Sequence, residues 1–134
     1  MFIIGMTLNP MNVLVFDISH IYTSYTLIYS GLLMASNMIW AHEIIHYLQY
    51  KRFNATIFIV GILLSLLCIV LLRFQINVNG KEWLKRMITH HSTALTTSNQ
   101  ILDKTDSENI RELATNIIHT QENEINIMKQ LLLE

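Results

Sequence analysis

Two short segments in the second half of the sequence carry side chains that bind soft metal ions. The first, MITHH at residues 87–91, places a methionine ahead of two adjacent histidines, and the second, at residues 121–128, carries glutamine, glutamate and methionine. Imidazole and thioether groups together suit monovalent copper better than magnesium or calcium, which prefer oxygen ligands. The candidate metal ligands are His90, His91, Met87 and Met128, and the candidate supporting groups are Gln121 and Glu124.

A further set of soft donors recurs at every fourth residue between residues 34 and 46. Residues four apart lie on one face of a helix, so this spacing predicts a stripe of two methionines followed by two histidines. Such a secondary metal ladder would guide a monovalent ion along the helix, whereas the simpler interpretation is packing, because methionine fills irregular gaps. The members of the stripe are Met34, Met38, His42 and His46.

The sequence HEIIH at residues 42–46 matches the zinc-protease signature, in which two histidines hold zinc and the glutamate acts as general base. A five-residue pattern with two free positions is a weak signal, and the sequence offers neither a third ligand nor room for a substrate cleft. We interpret the match as coincidental and predict a protein that is not an enzyme. The chain has only four glycines and no glycine-rich phosphate loop.

The composition is typical of a membrane protein. Hydrophobic residues make up 51% of the 134 residues and charged residues 14%, against about 25% in ordinary soluble domains. The net charge of -1 argues against nucleic-acid binding, which needs a basic face. The single cysteine, Cys68, excludes an internal disulfide. The first residues lack the basic and apolar pattern of a removable signal peptide.

Two uncharged segments are long enough to cross a lipid bilayer. Residues 55–72 contain no charge over eighteen positions, and about 20 apolar residues span the hydrocarbon core. The alternative, a core helix of a soluble bundle, is disfavoured because nothing else in the chain is large enough to cover a helix that is apolar all round. Residues 21–40 form a weaker span, which we expect to pack on the first through small residues. These small residues are Ser30, Gly31, Ala35 and Ser36.

The spans divide the chain into three parts. We predict an N-terminal segment at residues 1–17, a two-span membrane region at residues 18–78 and a helical hairpin at residues 79–134. The spans themselves cover about residues 18–40 and 55–73. Basic residues flank both ends of the second span, so the positive-inside rule gives conflicting signals and the side of the membrane that holds the hairpin stays open.

The last third of the chain has the apolar periodicity of two helices joined by a short turn, which makes them antiparallel. Asn79 predicts the start of one helix, and Thr105 with Glu108 predicts the start of the other by the capping-box pattern. Pairing the helices about the turn sets the polar side chains at one level, with His91 beside Gln121. One hairpin has a thin core, so we expect a homo-oligomer that forms a four-helix bundle, or packing against the membrane helices.

Residues 83–132 resemble the family called domain of unknown function 305. The family pattern runs Met-x-x-His-His-x-x-Ala and then Leu-Ala-x-x-Ile-x-x-x-Gln-x-x-Glu-Ile-x-x-Met. The matching positions are Met87, His90, His91, Ala94, Leu113, Ala114, Ile117, Gln121, Glu124, Ile125 and Met128. The upstream half resembles a membrane-anchored branch of that family. The positions that carry this second resemblance are His20, Ser24, Met34, Met38, Arg73 and Gln75.

The resemblance implies a ferritin-like helical fold and, because some members of the family are associated with copper, a copper site on the hairpin. This chain departs from the family at two positions. Many members carry methionine where this chain has Thr97, and many carry proline where it has Thr89. The departure at Thr97 leaves the implied set of copper ligands short of one methionine.

These observations predict an all-α protein with two transmembrane helices followed by an antiparallel helical hairpin, a ferritin-like half bundle completed by oligomerisation. The expected function is membrane-anchored binding or buffering of a soft metal ion, with copper as the cofactor. The expected partners are the lipid bilayer and further copies of the chain, without nucleic acid or a small-molecule substrate. The alternative is a non-enzymatic structural or assembly protein of the membrane, whose hairpin mediates oligomerisation and whose polar cluster only sets the register of the helices.

Overall fold

A computed structural model describes all 134 residues, and every regular element in it is helical, as the sequence predicts. Residues 1–8 and 25–78 form one compact unit, and residues 9–24 and 79–134 form a second. The helices are α1 (Phe2–Thr7), α2 (Pro10–Val13), a 3-10 turn (Ile18–His20), α3 (Tyr25–Tyr50), α4 (Ala55–Arg73), α5 (Gly80–Leu102) and α6 (Glu108–Leu133).

The first unit consists of α3 and α4, which a four-residue connection makes antiparallel, with α1 packed on α3. Small residues bring α3 and α4 together. The Oγ atoms of Ser65 and Ser36 lie 3.0 Å apart, and a Cβ atom on Gly61 would lie 3.0 Å from the backbone nitrogen of Trp40. Ser36 therefore lies at the helix contact, as the sequence predicts. Gly31 instead faces α1, where a Cβ atom would meet the side chains of Phe2 and Met6.

The helix α4 is long and apolar enough to cross a membrane, and it is the one helix that meets both criteria. Its buried positions are small: Gly61, Ser65 and Cys68. Most of its large aliphatic side chains are between 41% and 59% exposed; they are Ile57, Ile59, Val60, Leu63, Leu64, Leu66, Leu67, Ile69 and Val70. The burial pattern is thus the reverse of that of a water-soluble helix, which hides its large apolar residues.

The first predicted span differs from the helix that the structure contains. We predicted a span at about residues 18–40, but α3 begins at Tyr25 and continues to Tyr50. Residues 9–24, which precede α3, belong to the second unit. Within them, Asp17 caps the 3-10 turn by accepting a hydrogen bond from the backbone of Ser19. The helix ends where Lys51 adopts a φ of 56°.

The second unit is built on the hairpin of α5 and α6. Asn79 caps α5 by accepting a hydrogen bond from the backbone of Glu82 at 3.0 Å, as predicted. The predicted cap of the second helix was wrong, because Ser107 rather than Thr105 is the residue before α6, and Thr105 Oγ1 accepts from the Ser107 amide instead. The buried core of the hairpin contains Leu84, Ile88, Leu95, Ile125 and Met128.

A second face of α5 is covered by residues 9–24 of the same chain. The short helix α2 and the 3-10 turn both pack on α5. Asn9 caps α2 through the amides of Met11 and Asn12, and proline occupies the first helical position, where its missing N–H has no cost. We expected another copy or the membrane helices to pack against the hairpin, and residues 9–24 of the same chain do part of this.

Candidate metal centre

His91 lies on the side of α5 that faces α6, and both of its ring nitrogens have partners. Nδ1 lies 2.8 Å from the carbonyl oxygen of Met87, one helical turn earlier. Nε2 lies 2.8 Å from Oε2 of Glu124 on α6. A carbonyl oxygen accepts hydrogen bonds and cannot donate them, so Nδ1 carries a proton and the ring is held in one orientation.

This arrangement leaves two electron-pair donors facing each other. If His91 is neutral, its Nε2 atom has a lone pair, and the carboxylate of Glu124 accepts hydrogen bonds only. Two such atoms at 2.8 Å require a cation between them. A proton makes the contact an imidazolium–carboxylate ion pair, and a metal ion makes both atoms ligands. The chemistry of this donor pair therefore fits a transition-metal ion.

Gln121 lies beside the carboxylate. Its amide Nε2 donates to Glu124 Oε2 across 3.4 Å, a weak bond that orients a side chain which is 45% exposed. Of the two predicted supporting groups, Glu124 contacts the His91 ring and Gln121 contacts Glu124. The contact that the structure gives His91 is with Glu124, whereas we expected Gln121 beside it.

His90 does not share this position. Adjacent residues of a helix point in different directions, and His90 is exposed while His91 is half-buried. The two ring centroids are 5.8 Å apart and the ring planes are inclined by 67°. Partial burial of the His90 ring lowers its pKa, and the neighbouring His91 and Arg86 lower it further. A lowered pKa keeps the imidazole neutral and able to bind a metal near neutral pH.

The two candidate methionine ligands are part of the hydrophobic packing. Met128 is 7% exposed and belongs to the core of the hairpin, and Met87 packs against that core. No group of three or more His, Cys, Asp or Glu side chains comes together as a metal site. The structure therefore unites His91 with Glu124 and Gln121, holds Met87 and Met128 in the adjacent apolar core, and leaves His90 at the surface.

A buried polar network on the other face of α5 escaped the sequence analysis. His20 Nδ1 lies 2.9 Å from Ser92 Oγ, which also accepts a hydrogen bond from the Phe16 amide at 2.9 Å. Thr89 Oγ1 donates to the His20 carbonyl at 2.8 Å. The sequence contains one signal for it, since Thr89 and Ser92 are polar and three residues apart on a helix, which predicts a partner. Burial lowers the pKa of His20, and Lys129 lowers it further.

The members of the predicted ladder on α3 line two neighbouring grooves. Met34 and Met38 share one, and Met38, His42 and His46 line a cleft of about 800 Å³ near the connection between α3 and α4. Met34 also contacts α1, since its Sδ atom lies 3.0 Å from the position that a Cβ atom on Gly5 would take. The metal ladder stays a prediction.

A family model matches the hairpin. It is the domain of unknown function (DUF305), and it matches residues 71–132, which include the end of α4 and all of α5. This match confirms the resemblance that the sequence patterns indicated for residues 83–132. The ferritin-like fold, the membrane-anchored branch and the association with copper stay predictions.

One curated relative is an uncharacterized protein, L153, of Acanthamoeba polyphaga mimivirus. It is 36% identical over 84 residues, which are 63% of this chain and 55% of the relative. The chain thus spans about half the length of that relative. No solved structure matches the chain.

Proposed function

We propose that this protein is anchored in a membrane by two helices and that its hairpin binds or buffers a soft metal ion, with copper as the ion that best suits its donors. The observation that carries the metal proposal is the pair formed by His91 Nε2 and Glu124 Oε2, held 2.8 Å apart with the other ring nitrogen fixed by the Met87 carbonyl. A second bond that orients a ligating histidine is a common feature of metal sites.

The two oxidation states of copper would use different neighbours of His91. Imidazole binds both states, whereas carboxylate favours the divalent ion and thioether favours the monovalent ion. Glu124 is therefore the partner for divalent copper. Met87 and Met128 are the partners for monovalent copper, since methionine is flexible enough to turn its sulfur towards the imidazole. His90 at the surface is available to an ion shared with a second copy of the chain.

The membrane proposal is supported by α4 and by the path of the chain. A helix with large exposed aliphatic side chains and small buried ones is typical of a lipid-facing helix that packs through small residues. Residues 9–24 pack on α5, so both flanks of the segment 25–78 lie on the same side of a membrane that α4 crosses. An even number of crossings is then required, and α3 is the only other helix in that segment.

A structural role is the second candidate function. The imidazolium–carboxylate form of the His91–Glu124 contact favours it, because an ion pair in the seam of a hairpin fixes the register of the two helices without any metal. In that case the hairpin mediates assembly and the cation between the two side chains is a proton.

Copper titration of the full-length protein in detergent separates the two functions. We expect His91→Ala to lose both monovalent and divalent copper on the hairpin, and Glu124→Gln to weaken divalent copper more than monovalent copper. His119→Ala, which removes an exposed histidine from α6, is the matched control and should bind as the wild type does. Copper should also raise the thermal midpoint, because binding to the folded state contributes RT ln(1 + [L]/Kd). Equal binding by His91→Ala and His119→Ala would favour the structural role.

A further inference from the structure

A second group of metal-binding side chains lies in the first unit, at the end of α3 that leads into α4. The cleft of about 800 Å³ in this region has Met38, His42 and His46 on one wall, spaced by one helical turn each. Its opposite walls are largely apolar and include Phe2, Phe53 and Ile57. The cleft is open to solvent, since Met38 is 44% and Phe53 48% exposed.

His46 is oriented in the way that His91 is. Its Nδ1 atom lies 3.1 Å from the carbonyl oxygen of Arg52, and because that oxygen can only accept, Nδ1 is the protonated nitrogen. Nε2 is then left with a free lone pair. The ring also packs against Tyr50, with 5.0 Å between the ring centroids. Packing and the hydrogen bond together restrict the rotation of the imidazole, as in metal sites whose histidines are held from behind.

His42 is close enough to bind the same ion as His46. Their ring centroids are 6.2 Å apart and their planes are inclined by 25°. Two imidazoles that bind one ion through bonds of about 2.0 Å have centroids about 5 to 6.4 Å apart, for angles at the metal from tetrahedral to linear. The observed spacing falls within that range, and binding one ion would require the two stacked rings to turn their Nε2 atoms towards each other.

Glu43 holds the cleft together rather than acting as a protease base. It is 6% exposed, and its Oε1 atom accepts a hydrogen bond from the backbone of Asn54 at 2.6 Å. This bond ties α3 to the residue that caps α4, because Asn54 in turn accepts from the amides of Thr56 and Ile57. The buried carboxylate also places a negative charge on the cleft wall, which favours a bound cation over an empty site.

We propose that His42 and His46, with Met38 as the third donor, bind one monovalent copper ion in this cleft. Two imidazoles and a thioether form a soft donor set that favours monovalent copper over the hard cations. This site lies in a different unit from the His91–Glu124 pair and uses none of its residues. It therefore goes beyond the hairpin site proposed above and holds whether or not the hairpin binds a metal.

The experiment is a competition titration of the full-length protein in detergent with monovalent copper and a chromophoric chelator, which counts the ions bound per chain. We expect the double variant H42A/H46A to bind one ion fewer than the wild type, with His119→Ala as the control for loss of a histidine. Variant His91→Ala reports on the hairpin alone. Equal numbers of ions in H42A/H46A and in the wild type would overturn the proposal, and an unchanged number in His91→Ala would overturn only the hairpin site.

A second variant keeps the test independent of folding. Met38→Leu preserves the size and apolar character of the side chain and should leave the helical content, measured by circular dichroism, unchanged. We expect it to weaken binding at the cleft by at least about tenfold and to remove a sulfur neighbour from the copper X-ray absorption spectrum of the His91→Ala background. Met34→Leu is the matched control, because Met34 lies on the same helix but does not line the cleft. An equal affinity and spectrum in both variants would exclude Met38 as a ligand.

Discussion

At the scale of single residues, the contact between His91 and Glu124 combines two roles in one pair of atoms. A proton makes the contact an ion pair, and the proposed metal ion would make both atoms ligands. Glu124→Gln separates the roles, because a glutamine amide donates to the lone pair of a neutral His91 and needs no cation. We expect the free energy of unfolding of this variant to lie within about 1 kcal/mol of the wild-type value at neutral pH. We also expect the variant to bind divalent copper more weakly.

The matched control for this prediction is Glu122→Gln, which removes an exposed carboxylate two residues away on the same helix. Isothermal titration calorimetry gives the affinity, and chemical denaturation gives the free energy of unfolding. If the two variants bind divalent copper alike, Glu124 is not a ligand.

His20 predicts a dependence of stability on pH. Its pKa in the folded protein is lowered by burial and by Lys129. As the pH falls below the ordinary value of about 6.5, the unfolded state therefore binds more protons than the folded state. The free energy of unfolding therefore decreases as the pH falls from about 6.5 towards the lowered pKa. His90, whose pKa is also lowered, contributes with the same sign.

Thermal midpoints measured between neutral and mildly acidic pH test this dependence. His20→Gln removes the titrating group, so its midpoint should change less with pH than that of the wild type. His119→Gln serves as the control and should retain the full dependence. An identical pH profile for His20→Gln and the wild type would contradict a role for His20.

The residues of the candidate site were chosen by residue type, but the pairing of His91 with Glu124 was not predicted. The choice of His91, Gln121 and Glu124 followed from periodicity and from the family pattern. The residue before α6 was also mispredicted: it is Ser107, whose side chain makes no capping hydrogen bond, while Thr105 Oγ1 accepts from the Ser107 amide. The His20 network was not predictable, since it joins residues about seventy positions apart.

At the scale of helices, the end of α3 contains a strained backbone conformation that a substitution can relieve. Lys51 adopts a φ of 56°, a left-handed conformation that costs a non-glycine residue about 1 to 2 kcal/mol. Lys51→Gly should therefore raise the free energy of unfolding by about 1 kcal/mol. The control Gln49→Gly lies inside the helix and should lower the same quantity by about 1 kcal/mol. If both substitutions shift the free energy of unfolding in the same direction, measured by denaturation in detergent, this account is wrong.

The crossing of α3 and α4 depends on the absence of a side chain at Gly61. A Cβ atom there would lie 3.0 Å from Trp40 N and 3.1 Å from the Ile39 side chain. Gly61→Val should therefore separate the helices and destabilise the first unit by about 1 to 3 kcal/mol. Ala55→Val, at the exposed start of α4, should have little effect on the thermal midpoint. An unchanged thermal midpoint for Gly61→Val would show that α3 and α4 can accommodate a side chain at this position.

Helix type was predictable along most of the chain, and helix bounds were predictable only where local signals set them. Asn79 gave the start of α5 because its cap is a local interaction. The start of α3 at Tyr25 was missed because residues 9–24 are drawn to α5 by long-range bonds, such as that between the Phe16 amide and Ser92. Local hydrophobicity does not encode such bonds.

At the scale of the whole molecule, the proposed membrane anchor makes a prediction about one exposed face of α4. Leu63 is 59% exposed in the middle of that helix, and an arginine at the centre of a membrane span costs about 2.5 to 3.5 kcal/mol in insertion. Leu63→Arg should therefore release the protein from membranes on carbonate extraction. Leu113→Arg, at an exposed position of α6, should remain with the membrane fraction. If both variants remain, α4 is not the anchor.

The division of the second unit between residues 9–24 and residues 79–134 has a consequence for synthesis. The ribosome releases the first of these segments well before the second, and the partner of Phe16 lies 76 residues further along the chain. Residues 9–24 must therefore wait on the growing chain, without their final contacts, until α5 has emerged. Glu124 lies on α6, so the His91–Glu124 contact forms only after α6 has followed α5 out of the ribosome.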